Sequence, residues 1–276
     1  MVPPAGHVPG DVAAAAAGCG HLAAPDIAGL LFTAEMYGVQ LDHLAIALNI
    51  SEPRARAMAA RWQARQVAES ARLGPGPPWV WLTRRGLAAC GLRYTAAQPA
   101  LSRLAHLRAV TAVRLALQDT AAYRDAGGYW RSERRLRAAL GGRVGQRDHL
   151  PDGEVHWPEC PGGGGVGPGE ASAGWAGECW AIEAELTAKT VHRTVAIMRE
   201  LLARTGDYGC AAAQARGPGE PPRHARVLYV CSAAALPTVA RARDRVGRDG
   251  DRIEIRRLPP GAAMAPAVAP RSRVRA

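Results

Sequence analysis

The sequence predicts a mixed α+β chain with a helix-rich first third, a helical middle and a last stretch in which strands alternate with helices. Three observations carry this. Apolar residues between 25 and 66 recur at three- and four-residue steps, the spacing of a helix face. Two β-prone runs, 67–73 and 79–82, flank the turn-forming Gly74-Pro75-Gly76-Pro77-Pro78. From residue 150 onward the order reads β-β-α-β-α-β, which calls for a mixed α/β sheet.

The first helix is set by Ile27, Leu30, Leu31 and Ala34, and the second by Leu41, Leu44, Ala45 and Leu48. Asn49-Ile50-Ser51 makes a short turn. Ser51 is placed to cap a third helix, with Pro53 in the first turn, where a missing N–H costs nothing. That helix runs to about Gln66. Its spacing turns Ala55, Met58, Ala59 and Trp62 inward and small Ala57, Ala60 and Ala64 outward. Arg54, Arg61 and Arg65 line one flank, and Arg56 and Gln63 the other. A slim face edged by guanidinium groups suits a major groove with phosphates on both sides. The competing reading is an ordinary solvated amphipathic helix. After the hairpin, Thr83-Arg84-Arg85-Gly86-Leu87-Ala88 starts a further helix.

Over residues 25–95 this order of elements resembles a winged helix-turn-helix domain. The phrase Trp81-Leu82-Thr83-Arg84-Arg85-Gly86-Leu87 is similar to the strand-to-helix step after the wing in many bacterial regulators. The resemblance implies double-stranded DNA as partner, with Arg54, Arg56, Arg61, Arg65, Arg84 and Arg85 as DNA-binding side chains.

The bulk numbers agree with an anionic partner. The 276 residues carry a net charge of +11, and the pI is near 10.1, so polyanions are attracted at low salt. Residues 1–150 hold 18 basic against 10 acidic side chains and the remainder 17 against 14, so anion binding is expected mainly in the first half. None of the six cysteines forms a C-x-x-C pair, and a reducing cytoplasm fits their use. Cys231 lies in an apolar strand pattern and is expected in the core. No apolar run approaches the roughly 18 residues that span a bilayer, so no membrane partner is expected. Residues 1–24 read as a disordered leader and 259–276 as a disordered tail.

Residues 99–125 carry Leu101, Leu104, Leu107, Val110, Val113, Leu117 and Tyr123 at helical spacing, as a connector or a dimerisation helix. Gly127-Gly128 breaks it, and Trp130-Arg131-Ser132-Glu133 is expected to start a second, basic helix. The last domain, 128–258, then holds strands at 153–157, 179–187, 226–231 and 252–258, and helices at 188–204 and 234–246. Val191, Val195, Met198 and Leu202 of the first of these helices face inward. Residues 158–178 are Gly-, Pro- and Ala-rich and read as a flexible insertion.

The chemistry concentrates here. Lys189 is the single lysine of a chain that otherwise uses arginine. Alternation places Glu183 and Glu185 on one face of a strand, where two carboxylates repel unless a cation lies between them. Hard oxygen donors suit Mg2+ or Mn2+. Asp152 begins the neighbouring strand, and Lys189, at the expected helix start, is within reach of a water or a phosphate oxygen. The plainer alternatives are a wet strand face and a tight Pro-Asp-Gly turn.

Pro151-Asp152 and Glu183 resemble the two halves of the PD-(D/E)xK nuclease superfamily motif. Glu185 stands where that family usually has lysine, with Lys189 as the substitute. The resemblance implies a restriction-endonuclease-like fold over 128–258, a metal held by Asp152, Glu183 and Glu185, and Lys189 orienting water; Glu133 is a further candidate acid. It covers both active nucleases and relatives that keep only DNA binding.

The combined architecture resembles the replication-relaxation family of actinobacterial plasmids and integrative elements. The likeness rests on Leu82-Thr83-Arg84-Arg85-Gly86, residues 130–133, Asp152-Gly153 and residues 182–189. It implies plasmid replication or mobilisation in the cytoplasm, associated with plasmid or nucleoid, with a relaxase or replication proteins as further partners; a homodimer is the alternative that the helix at 99–125 leaves open. Two functions stay open: a metal-dependent endonuclease or nickase, and a non-catalytic regulator with an inactive nuclease-like domain.

Overall fold

A computed structural model describes residues 22–140, 149–157, 177–204 and 223–262. The expected leader, insertion and tail lie largely outside these residues. At their edges two boundaries shift. Leu22 already packs against the core, and Pro259 accepts a hydrogen bond from the Ala262 amide in a turn that buries Ala262.

The first part of the chain comprises α1 (Ala24–Glu35), β1 (Val39–Gln40), α2 (Leu41–Leu48), α3 (Glu52–Ala64), β2 (Ala68–Ala71), β3 (Trp79–Leu82) and α4 (Arg84–Ala89). Local chemistry ends each helix. Tyr37 (φ 62°) and Gly38 (φ 131°) turn the chain out of α1, and Asn49 (φ 51°) closes α2 in the left-handed region that asparagine tolerates. Ser51 takes the N-cap position of α3, but its side chain makes no capping bond. The strands form an antiparallel sheet in the order β1-β3-β2, and β1, two residues long, is an element the periodicity did not predict. Gly86 is required where α4 meets the hairpin, because a Cβ there would lie 1.9 Å from the Val67 carbonyl oxygen.

The middle stretch is a 3-10 turn, Leu101–Arg103, followed by α5 (Leu104–Gln118) and α6 (Ala121–Asp125), with Thr120 capping α6. Leu104, Leu107, Ala109, Val110, Ala112, Val113 and Leu117 are buried on several sides of α5. The helix is sandwiched between the first part and the sheet that follows, as a connector would be.

The expected helix start at Trp130 is corrected. Tyr129–Ser132 is a strand, β4, with Trp130 and Ser132 buried, and helix α7 (Glu133–Ala139) begins only after Ser132, whose hydroxyl caps it. A pair of glycines followed by two aromatic residues is strand chemistry, and the arginines that suggested a helix belong mostly to α7. The sheet therefore has five strands in sequential order: β4, β5 (Gly153–His156), β6 (Cys179–Glu185), β7 (Arg226–Cys231) and β8 (Ile253–Arg257). Strands β4, β5 and β6 pair antiparallel; β6, β7 and β8 run parallel, joined by α8 (Val191–Ala203) and α9 (Leu236–Val246).

Both sheet faces are buried. Trp180, Ile182, Ala184, Leu228 and Val230 join a core that runs on through α5 into Leu30, Trp62 and Leu87, so the two expected domains share one core. Ala181, Val227 and Tyr229 pack under α8 and α9 with Val195, Met198 and Leu201. Cys231 is 1% exposed, as a core cysteine should be. No helix among the described residues is long and apolar enough to cross a membrane.

Candidate functional site

Two surfaces hold the residues singled out from the sequence. On α3, Ala55, Met58, Ala59 and Trp62 are buried, while Arg54, Arg56, Arg61 and Arg65 stand exposed with Ala57, Ala60 and Ala64 between them. Trp62 fixes the helix by donating its indole N–H to Asp26 at 2.8 Å inside the core. Arg61 also reaches Asp26, at 3.3 Å, and Arg56 pairs with Glu52 at 2.9 Å. Both guanidiniums are more than half exposed, so these pairs contribute at most about 1 kcal/mol each and trade readily for another anion. Gln63 donates to the Ser70 carbonyl and so ties α3 to β2. Arg84 and Arg85 are exposed at the start of α4, and Arg85 reaches Gln66.

The acidic residues lie at the carboxyl end of β6. Gly153 opens β5 without a side chain because the Trp130 ring covers it; a Cβ would sit 2.1 Å from Trp130 Cζ2. Register carries Asp152, one residue earlier, to the level of Glu183. The Ala184 amide donates to Asp152 Oδ2 at 2.8 Å, and His106 of α5 contacts Oδ1 at 2.8 Å. Glu183 and Glu185 share a face, as alternation predicts, but that face is not wet: they are 4% and 5% exposed. His149 Nε2 lies 2.8 Å from Glu183 Oε1, and Lys189 donates to Glu185 in a close ion pair.

Lys189 is not at a helix start, contrary to expectation. Thr190 caps α8, which begins at Val191, so the lysine sits in the preceding loop. Of the residues expected to face inward on α8, Val195, Met198 and Leu202 are buried and Val191 is only partly so. Glu133 is held by Arg103 at 3.1 Å and Arg137 at 2.5 Å, and it lines a small cleft with Asp152 and His106.

The expectation of three carboxylates converging on one point is corrected in its detail. Asp152, Glu183 and Glu185 are neighbours, yet each is answered by its own cation or imidazole. Among the described residues, the group whose ligand atoms all lie within 4.8 Å of one another is instead Glu154, His156 and Cys179. Glu154 is fully buried. Arg223 grips both its oxygens at 2.7 Å, His224 and His156 each lie 2.9 Å away, and Arg131 stands at 3.9 Å. Burial opposes its charge, but the bonds from His156, His224 and Arg223 outweigh it and hold the carboxyl far below its usual range. With its lone pairs taken and two guanidiniums beside it, Glu154 reads as a structural anion.

The electrostatics of the β6 end differ. Burial pushes Glu183 up, with the Asp152 charge adding to this and His149 and Lys189 opposing. Burial alone would push His149 down, but Glu183, Asp152 and Glu200 outweigh it, and the imidazole is raised. His106 is raised against burial by Asp152 in the same way. The Glu183–His149 pair therefore holds a proton more tightly than either group would alone.

His106, His149 and Tyr229 were not found from sequence. The signals were a histidine interrupting the apolar stripe of residues 101–117 and a histidine three positions before Asp152. Tyr229 had no sequence signal, since only the β6–β7 register brings it level with Glu183.

No protein-family model matches the chain, and no curated protein matches it. A crystal structure, that of RV1404 from Mycobacterium tuberculosis, aligns at 18% identity and a TM-score of 0.26, over 50% of this chain and 85% of its own. So low a score leaves the function to be read from the residues themselves.

Proposed function

We propose that the chain is a DNA-binding protein whose first part acts as a winged helix on duplex DNA and whose sheet offers a divalent-cation site at Asp152, Glu183 and Glu185. The observation that carries the reading is the outward face of α3, where four exposed arginines flank three alanines with nothing bulky between. Arg84 and Arg85 extend the positive surface beside the hairpin. The acids lie at the carboxyl end of two parallel strands, the place where open α/β sheets take up ligands. Oxygen donors buried beside a positive chain suit Mg2+ or Mn2+, and that ion would polarise a phosphodiester while Lys189 steadied a phosphate oxygen. The wider role in plasmid replication or mobilisation, cytoplasmic and beside a relaxase or replication proteins, comes from the family resemblance.

A second reading has its own support. Asp152, Glu183 and Glu185 are each already paired, with His106, His149 and Lys189. That favours a DNA-binding regulator without cleavage. Supercoiled plasmid incubated with Mg2+ separates the two: nicking that disappears in Glu183→Ala supports the nuclease, and intact plasmid with unchanged DNA affinity supports the regulator. DNA binding itself is tested by fluorescence anisotropy against salt. Replacing Arg54, Arg61 and Arg65 with alanine should flatten the log–log slope by about 0.9 for each phosphate that is no longer neutralised. An unaltered slope moves the DNA face away from α3.

A further inference from the structure

Tyr229 stands in the middle of β7, level with Glu183 of β6 in parallel register and on the same sheet face. It is 1% exposed, and its hydroxyl has no hydrogen-bond partner among the described residues. Leaving a buried hydroxyl unsatisfied costs about 1–3 kcal/mol. A phenylalanine would fill the space under α8 without that cost. Burial first, and then the charges of Glu183 and Glu185, hold the phenol protonated, so its O–H proton is available to donate. An obvious acceptor, the Glu183 carboxylate, is turned toward His149. A donor set beside an acceptor that is engaged elsewhere suits a site with two arrangements.

We infer that Tyr229 is a positioning residue for Glu183: when Glu183 leaves His149 to bind a divalent cation, the Tyr229 hydroxyl donates to its carboxylate and orients it. The inference rests on the cation site proposed above. Carboxylates that bind metal are themselves held by outer hydrogen bonds, and loss of such a bond typically weakens the metal about 10- to 100-fold. Charge favours the exchange, because a dication between Asp152 and Glu183 removes the repulsion that His149 and His106 now relieve separately.

The test uses the full chain with Mn2+ alone, reading free Mn2+ by electron paramagnetic resonance and stability by thermal melting. Tyr229→Phe should melt, without cation, at or above the wild-type temperature, since it gives up no bond. Its Mn2+ Kd should be at least about tenfold weaker. In the wild type, Mn2+ should also perturb the near-ultraviolet tyrosine spectrum, and this signal should be absent from the variant. If wild type and Tyr229→Phe bind Mn2+ equally, the positioning role is overturned and the cation site stands. A lower melting temperature with an unchanged Kd makes the hydroxyl structural and also overturns it. If the wild type binds no Mn2+, the cation site and the inference fall together.

Discussion

Two carboxylate groups share one face of the five-stranded sheet and are built in opposite ways. Glu154, in the middle of β5, is gripped by Arg223 through both oxygens and touched by two histidines. Among the described residues, Asp152, Glu183 and Glu185, by the end of β6, each hold one side-chain partner, and Tyr229, level with Glu183, has an unsatisfied hydroxyl. A carboxylate saturated by well-placed donors has no capacity left for a ligand, and its work is to hold the fold. Glu183 and Glu185 with one side-chain partner each, and Asp152 with one imidazole and the Ala184 amide, keep lone pairs in reserve. The trio that looks most like a metal site by spacing alone is thus the one least able to take a metal.

The strongest way to break this contrast is to remove Glu154. Glu154→Gln leaves Arg223 buried opposite an uncharged amide, and unfolding in urea should show a loss on the order of 3–5 kcal/mol. A loss under about 1 kcal/mol would mean that the hub is not structural.

Protonation sharpens the comparison next. His43, 4% exposed, is pushed down to about 4 by burial and by the Arg108 charge, with Asp42 pulling weakly the other way. The fold holds it neutral, so its contribution is complete above 6.5, the ordinary value, and is lost as pH falls toward about 4. The loss should be on the order of 3 kcal/mol. Glu154 acts in a lower window: its carboxyl stays ionised while the unfolded chain takes up protons below 4.5, so stability there also falls with pH. Melting curves at stepped pH should show His43→Gln flattening the upper limb and Glu154→Gln the lower. One variant that flattened both would merge the windows.

The smallest expected effect concerns Gly153, which separates Asp152 from Glu154. Gly153→Ala drives a methyl into Trp130 and should cost about 1–3 kcal/mol by overpacking. Because the strain falls at the entry of β5, Mn2+ affinity should drop while the Glu154 acid limb keeps its shape. Equal damage to both would show that the two groups are not independent.

Much of the fold was legible because periodicity is a local property. The α3 faces and the Glu183–Glu185 face follow from 3.6- and 2-residue spacing. What failed was either too short or too distant. Strand β1 has two residues, and β4 has four next to an arginine-rich helix that outweighed it. The partners of the acids come from 46 and 34 positions away along the chain, and the Tyr229–Glu183 level requires knowing that β6 and β7 are parallel. Gln63 shows the same limit: the helix period placed it on the outer flank, but its bond to Ser70 needs the hairpin folded back.

Helix α5 has a mechanical consequence. Arg108 on this helix binds Gln40 and Asp42, and Gln40 in turn holds the hairpin loop through the Pro75 and Pro77 carbonyls. Two residues earlier on the same helix, His106 holds Asp152. The tip of the hairpin and the acidic pocket therefore hang from one rod, like two marks on a ruler. A long partner that engaged both would be measured against that fixed interval, and a one-residue insertion between His106 and Arg108 would turn one mark about 100° against the other.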